Sequence, residues 1–479
     1  MKKVLFIAVI GILLFSTIAF AQGGFVSPDQ VTPNAPHMVN DHLFKNVPFP
    51  GVFQMSNVSQ VSFSGFIGMG GNNYIAYVAS NSGTAHYKFR AFKMSGGKIT
   101  QKGLVVSSSI SGNYVEPCAV SLSSTNAVFG CTDGTNSFKS YCITLDTSTL
   151  QLTISAANTD TTANYISPRH LNLLRYSDTQ AIAIAYESNY SLISFRYVNT
   201  SGGAISSVTG HSNKSSSGTP TSVHANYSTA TNITVTYYDS GSSTNALTAY
   251  PNGSTFYISN ASGLGVNTGS FSTTMAFKNK GRCVTVGNTS LFACAFSVTE
   301  STTPSAFTWS GNAGPLMEIG SQSAVYQKTS IVLDDTYAVM LTIQSNESSC
   351  VPTLFMIGSD NEGTISSNPD LNSTVNLCDV KPLISNIINT YVTTGNTSTK
   401  MYFTPYLGIY NTSGGYALDT TERNYWYYDS TEKILYFGAP WCWNGNQNST
   451  KGAGATFMIV PIKIEIDEAG ARFGTLNLK

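Results

Sequence analysis

Charge is the scarcest thing in this sequence. Asp, Glu, Lys and Arg make up only 10% of 479 residues, and the 25 basic residues cancel the 25 acidic ones, where ordinary soluble domains carry about 25% charged residues. A nucleic-acid partner needs a basic face and an anionic membrane surface needs a Lys/Arg cluster; neither is present, so both are excluded as partners. The six histidines are scattered and no Cys-x-x-Cys occurs among the eight cysteines, which removes the usual zinc spacings. Also missing are a Gly-x-Ser-x-Gly elbow, a phosphate loop, a Gly-x-Gly-x-x-Gly unit and His-Glu-x-x-His, so serine hydrolase, nucleotide and zincin readings lose their support. Asp360-Asn361-Glu362-Gly363 has donors that suit calcium but lacks the full acidic ladder and reads as a turn. No cofactor and no metal are expected.

What replaces charge is 116 Ser and Thr, 39 Asn and 41 Gly, beside 26 Tyr and 25 Phe. The aromatic content is incompatible with intrinsic disorder. Lys2-Lys3, the apolar run Val4 to Phe20 and the small-x-small Ala19-Phe20-Ala21 have the parts of a secretory signal peptide, read as residues 1–21. No later run reaches the 18 apolar residues of a membrane helix. Residues 22–53, with Pro28, Pro33, Pro36, Pro48 and Pro50, form an extended arm. It is expected either to close the fold or to add as a strand to a neighbouring subunit.

An even number of cysteines in an exported chain points to disulfides. Cys118/Cys131 and Cys283/Cys294 each flank a short turn between apolar segments, a spacing that suits cross-strand bridges. Pairing Cys350 with Cys378 and Cys142 with Cys442 is what remains. Fourteen Asn-x-Ser/Thr sequons, at Asn57, Asn189, Asn199, Asn213, Asn226, Asn232, Asn252, Asn260, Asn288, Asn346, Asn372, Asn396, Asn411 and Asn448, are candidate N-glycan acceptors if the source is eukaryotic.

A unit of turn, apolar strand, polar turn and second apolar strand recurs eight times, headed by Asn73, Thr125, Thr179, Thr231, Thr289, Thr336, Thr390 and Thr431. Short β-rich segments at a period near 50 residues predict an all-β fold over residues 54–479: a β-propeller of eight, alternatively seven, four-stranded blades. The Thr-headed strands are expected next to the central axis. Ser124, Asp178, Asp335 and Ser430 are expected to stabilise the tight turns. The repeats resemble those of a broad group of secreted microbial β-propeller proteins, through Ile331-Val332-Leu333-Asp334-Asp335-Thr336, Tyr237-Tyr238-Asp239 and Gly202-Gly203-Ala204-Ile205-Ser206. The resemblance covers most of the mature chain, weakens in the last two units, and implies a fold and a cell exterior rather than an activity.

Propellers can host glycosidases, which need two converging carboxylates, and Asp133, Glu187 and Asp239 follow successive Thr-headed strands. The later units offer no equivalent, so no catalytic residues are assigned. Trp426, Trp441 and Trp443 with Tyr425, Tyr427 and Tyr428 either stack sugars or fill the last blade. The function expected is that of a secreted glycoprotein with a structural or adhesive role at the cell surface or in extracellular matrix, such as a filament or coat subunit. Its partners are then copies of itself, other extracellular glycoproteins or glycans, with no membrane contact after signal cleavage. A carbohydrate-binding lectin is the alternative, followed by a propeller glycosidase.

Overall fold

A computed structural model describes residues 51–54, 61–80, 86–109, 115–132, 137–162, 168–216, 218–239, 244–264, 273–278, 281–286, 292–305, 317–318, 325–346, 349–358, 426–441, 456–467 and 470–474. A short strand, β1 (Gly51–Gln54), precedes five consecutive antiparallel blades. Blade 1 is β2 (Val61–Gly70), β3 (Asn73–Ser80), β4 (His86–Ser95) and β5 (Lys98–Ser109). Blade 2 is β6 (Val115–Ser121), β7 (Asn126–Thr132) and β8 (Phe138–Asp146), with β9 (Gln151–Ile154) and β10 (Asn158–Asp160) sharing its outer edge. Blade 3 is β11 (Pro168–Ser177), β12 (Gln180–Glu187), β13 (Leu192–Ser201) and β14 (Ala204–Ser215). Blade 4 is β15 (Pro220–Tyr227), β16 (Ile233–Asp239) and β17 (Thr244–Pro251), edged by β18 (Phe256–Ile258) and β19 (Ser262–Gly263). Blade 5 is β20 (Thr273–Phe277), β21 (Arg282–Val286), β22 (Phe292–Ser297) and β23 (Met317–Glu318). A three-stranded sheet follows, β24 (Val325–Val332), β25 (Tyr337–Asn346) and β26 (Ser349–Gly358). The closing sheet is composite: β27 (Trp426–Asp429), β28 (Ile434–Trp441), β29 (Thr456–Asp467) and β30 (Gly470–Gly474), with β1 from the other end of the chain.

The first strand of each sheet packs on the first strand of the next, and β2 meets β27 and β28, so the sheets form a ring. The fold is therefore the expected all-β propeller. The expectation of eight, alternatively seven, four-stranded blades is corrected: among the described residues five blades are complete, three of four strands and two with a fifth short strand at the outer edge. The seventh unit rested on Thr390, outside the described residues. The fifth was out of phase, because Thr289 precedes the third strand of blade 5 and the second follows Gly281, whose φ is 60°. The arm's end does not extend outward: Gly51 to Gln54 pair with Ile459 to Thr456 of the same chain. Residues 1–50 lie outside the described residues, and no helix among those described is long and apolar enough to cross a membrane.

The Thr-headed strands are second from the axis, not innermost as expected. They are nearly continuous apolar runs because both of their faces are covered by neighbouring blades, whereas the outermost β14 alternates toward solvent. In β12 the small side chains Ala181, Ala183 and Ala185 pack toward blade 2 with Cys118 and Val128. The large Ile182, Ile184 and Tyr186 pack toward blade 4 with Val223 and Val235. Alternation of small and large thus sets how closely each wedge approaches its two neighbours.

The tight turns are stabilised one residue earlier than expected. Ser123 Oγ accepts from the backbone N–H of Thr125 and Asn126, and Ser177 Oγ from that of Thr179. Thr229 Oγ1 does the same for Thr231 and Asn232, Asp334 Oδ1 for Thr336 and Tyr337, and Asp429 Oδ1 for Thr431 and Glu432. Ser124, Asp178, Asp335 and Ser430 lack this role; Asp178 instead meets Arg175 at 2.5 Å on the surface.

Candidate functional site

Titratable side chains concentrate at the outer junction of blades 2 and 3. Asp160 sits on β10, Glu187 ends β12, Ser194 and Arg196 lie two residues apart on β13 and so share a face, and His211 is on β14. Arg196 is 1% exposed and its guanidinium lies 5.0 Å from the centre of the Phe138 ring. It donates through Nη1 to Asp160 Oδ2 at 2.9 Å, and through Nη2 to Ser194 Oγ at 2.8 Å and to Glu187 Oε1. Ser194 Oγ donates to Glu187 Oε1 at 2.6 Å. His211 Nε2 lies 2.9 Å from Asp160 Oδ2, and the Thr162 N–H donates to Asp160 Oδ1 at 3.0 Å. Burial alone would raise the Asp160 pKa, but the His211 hydrogen bond and the Arg196 charge prevail and hold it at about 2.

This arrangement joins two blades through buried, mutually hydrogen-bonded side chains. Glu187 is 0% exposed, and its Oε1 accepts from both Arg196 and Ser194. Asp239, 5% exposed, accepts from Asn245 Nδ2 at 2.9 Å within its own blade. Asp133 lies outside the described residues. Glu187 and Asp239 thus end the second strands of successive blades, each buried and hydrogen-bonded to a side chain of its own blade. No group of three His, Cys, Asp or Glu that could hold a metal occurs among the described residues, and Asp360 to Gly363 lie outside them.

The cysteine expectations need correction. Cys118 pairs in register with Gly130, so Cys131 points to the opposite face. Cys118 packs with Leu171 and Leu173 toward blade 3, and Cys131 with Tyr87 and Phe129 toward blade 1. Cys283 is opposite Phe296, and Cys294 opposite Thr285, a diagonal too long for a bridge. Cys118, Cys131, Cys142 and Cys283 are buried thiols outside any disulfide, which also removes Cys142–Cys442. Burial pushes the Cys283 thiol up to about 12, so it is inert as a nucleophile. Cys350 lies on β26; Cys378 and Cys442 are outside the described residues.

The sequons divide. Asn189, Asn213, Asn252 and Asn260 are exposed. Asn232 is corrected as an acceptor, because it is fully buried and pairs with the backbone of Ser301 in both directions at 2.8 Å. In Asn199 the amide nitrogen donates to Ser207 Oγ at 3.0 Å and Thr209 Oγ1 at 2.9 Å, and in Asn226 to Thr274 O at 3.2 Å. These two amides are already committed. Asn346 lies on β25, and Asn57, Asn288, Asn372, Asn396, Asn411 and Asn448 fall outside the described residues.

Among the late aromatics, Trp426 is 5% exposed. Tyr427 packs edge-on against Tyr74 at 5.1 Å, filling space that only Gly68 leaves open, since a Cβ there would meet the Tyr427 ring at 2.1 Å. Glu432 accepts from the Gly96 N–H with both oxygens at 3.1 Å. These residues close the ring between blade 1 and the last sheet. Trp441 is on β28; Tyr425 and Trp443 lie outside the described residues. Sequence reasoning missed Asp160, Arg196, His211 and Glu432, whose partners are distant in the chain. It also missed Asn172, whose amide pairs with Val223 O at 3.1 Å and the Ala225 N–H at 3.2 Å across the junction of blades 3 and 4.

No family model and no curated protein matches the sequence. Among solved structures, a candidate 6-phosphogluconolactonase from Bacteroides fragilis is similar at 12% identity and TM-score 0.41, covering 63% of this chain and 81% of its own. The β-propeller domain of the Trilobed protease from Pyrococcus furiosus matches at 10% identity and TM-score 0.35, over 65% of this chain and 84% of that one. AofleA from Arthrobotrys oligospora matches at 10% and 0.35, over 66% and 87%. At such values the likenesses carry no argument about activity, ligand or site.

Proposed function

We propose that this chain is a secreted, non-catalytic propeller with a structural or adhesive role outside the cell. The observation that carries the reading is the use made of its buried carboxylates: Glu187, Asp160 and Asp239 are hydrogen-bonded within and between blades. The surface fits association, with little charge to repel a second copy. Two twelve-residue outer strands, β5 and β14, end their sheets, and Leu104 on β5 is 81% exposed. Negative-stain imaging of the secreted chain, with assays on a panel of aryl glycosides, tests this. Assemblies without turnover are expected. Sugar release that is lost in Glu187→Gln or Asp239→Asn would overturn the reading. A carbohydrate-binding role comes second, favoured by Tyr176 and Tyr190, 37% and 42% exposed, which can stack on a sugar; retention on immobilised glycans would select it.

A further inference from the structure

The hairpin between β17 and β18 places a sequon and an aromatic pair on the same side. Pro251 and Phe256 are opposite each other and turn inward, Phe256 stacking on Tyr197 at 4.5 Å. Tyr250 and Tyr257, the next pair, turn outward; their rings are near-parallel at 15°, with centres 6.5 Å apart, and Tyr257 is 51% exposed. Alternation returns Asn252 and Thr255 to that outward side. The Asn252 N–H closes the turn onto Thr255 O at 3.2 Å. Asn252 Oδ1 accepts from the N–H of Ser254 at 3.1 Å and of Thr255 at 2.7 Å, and from both their hydroxyls at 3.3 Å. Gly253, at φ 86°, donates its N–H to Tyr197 Oη at 3.0 Å, which anchors the tip to blade 3. The oxygen of the Asn252 amide is thus fully used while its nitrogen stays outside these bonds, the reverse of Asn199 and Asn226.

We infer that Asn252 is an N-glycan acceptor whose first sugar rests on the Tyr250/Tyr257 pair, so that the glycan is a packed part of blade 4. This rests on the proposed secretion of the chain. In the transfer, Asn252 Nδ2 forms a bond to C1 of the sugar of a lipid-pyrophosphate-linked oligosaccharide, the C1–oxygen bond to pyrophosphate breaks, and the amide loses one proton. The apolar face of a pyranose then covers tyrosine surface that is otherwise open to water. Asn189, Asn213 and Asn260 are exposed as well, but only Asn252 follows two residues after a tyrosine that is itself paired with a second ring.

The test uses the full chain, secreted from cultured eukaryotic cells with its own leader. Glycopeptide mass spectrometry should find sugar on Asn252 in most molecules. Ser254→Ala, which removes the sequon and one hydroxyl bond but keeps the backbone bonds to Asn252 Oδ1, should lower Tm by about 1–2 °C, and should have a markedly smaller effect in a Tyr250→Ala/Tyr257→Ala background. Bare Asn252 beside glycosylated Asn189, Asn213 or Asn260 would overturn this inference and leave the secreted reading standing. Equal Tm losses in both backgrounds would overturn the tyrosine platform. A secreted chain with no sugar at any sequon would remove the glycoprotein reading together with the inference.

Discussion

The two sides of blade 2 are joined to their neighbours by opposite chemistry. Toward blade 1 the junction is aromatic: Phe129 meets Tyr77, Tyr87 and Phe89 edge-on at 5.2, 4.8 and 5.1 Å, within a cluster that includes Ile75, Ile143 and Leu145. Toward blade 3 the outer junction is the Asp160, Glu187, Arg196 and His211 network. The two chemistries differ in what substitutions they tolerate. Non-directional apolar packing accepts substitutes of similar volume. A buried ion network accepts replacement as a whole but not in part.

Arg196→Ala should therefore cost about 3–5 kcal/mol, because it strands two buried carboxyl groups. The triple replacement Arg196→Met with Asp160→Leu and Glu187→Leu should be neutral or stabilising by about 1–4 kcal/mol. Across the blade, Ile143→Leu should cost under about 1.5 kcal/mol. Denaturant unfolding of the three variants checks this; a triple variant as weak as Arg196→Ala would break the comparison.

Acid sharpens the same contrast. Asp160 has a folded pKa of about 2 against about 3.9 unfolded. Because the folded value is depressed, its contribution is present above the unfolded pKa and is lost as pH falls from about 5 toward 2. The size is about 2 kcal/mol. Unfolding followed at pH 6 and pH 3, still a unit above the folded pKa, should show about half of this loss, roughly 1 kcal/mol, in the parent and a smaller one in Asp160→Asn, while Ile143→Leu should behave as the parent. Identical pH dependence of parent and Asp160→Asn would remove Asp160 from the account.

The sequence made the propeller legible because five of the Thr-headed turns are local events: a hydroxyl or carboxylate two residues before Thr125, Thr179, Thr231, Thr336 and Thr431 caps the backbone, and an apolar strand follows. Phase failed where blade 5 makes that turn with Gly281 in place of the motif. The two hairpin disulfide expectations failed on register: the hairpin that pairs Ser121 with Ala127 also pairs Cys118 with Gly130, and no count of intervening residues reveals that offset. The junction network was illegible for a different reason. Asp160 and His211 are 51 residues apart, and nothing local distinguishes them from other residues near strand ends. Asn172 is aimed by a bulge between Arg169 and Asn172, with His170 at φ 54°, a backbone irregularity that leaves no compositional trace.

The smallest effect concerns the turns, where the two sides of blade 2 ought not to differ. Ser123 caps the β6–β7 turn and Ser177 the β11–β12 turn through Oγ, Ser123 at 3.3 Å to Thr125 N and 3.1 Å to Asn126 N, Ser177 at 3.3 Å to Thr179 N. Each cap is one hydroxyl hydrogen-bonded at the surface, so Ser123→Ala and Ser177→Ala should each cost about 0.5–1.5 kcal/mol, whatever chemistry joins their blades. Asp334 makes the equivalent contact with a carboxylate, at 2.8 Å to Thr336 N, and Asp334→Ser should retain most of it. Equal losses from the two serine variants in denaturant unfolding would confine the difference between junctions to the buried side chains. A markedly larger loss from Ser177→Ala would mean that the ion network governs the blade 3 turn as well, and the brittle region would then extend from the outer edge to the inner hairpin.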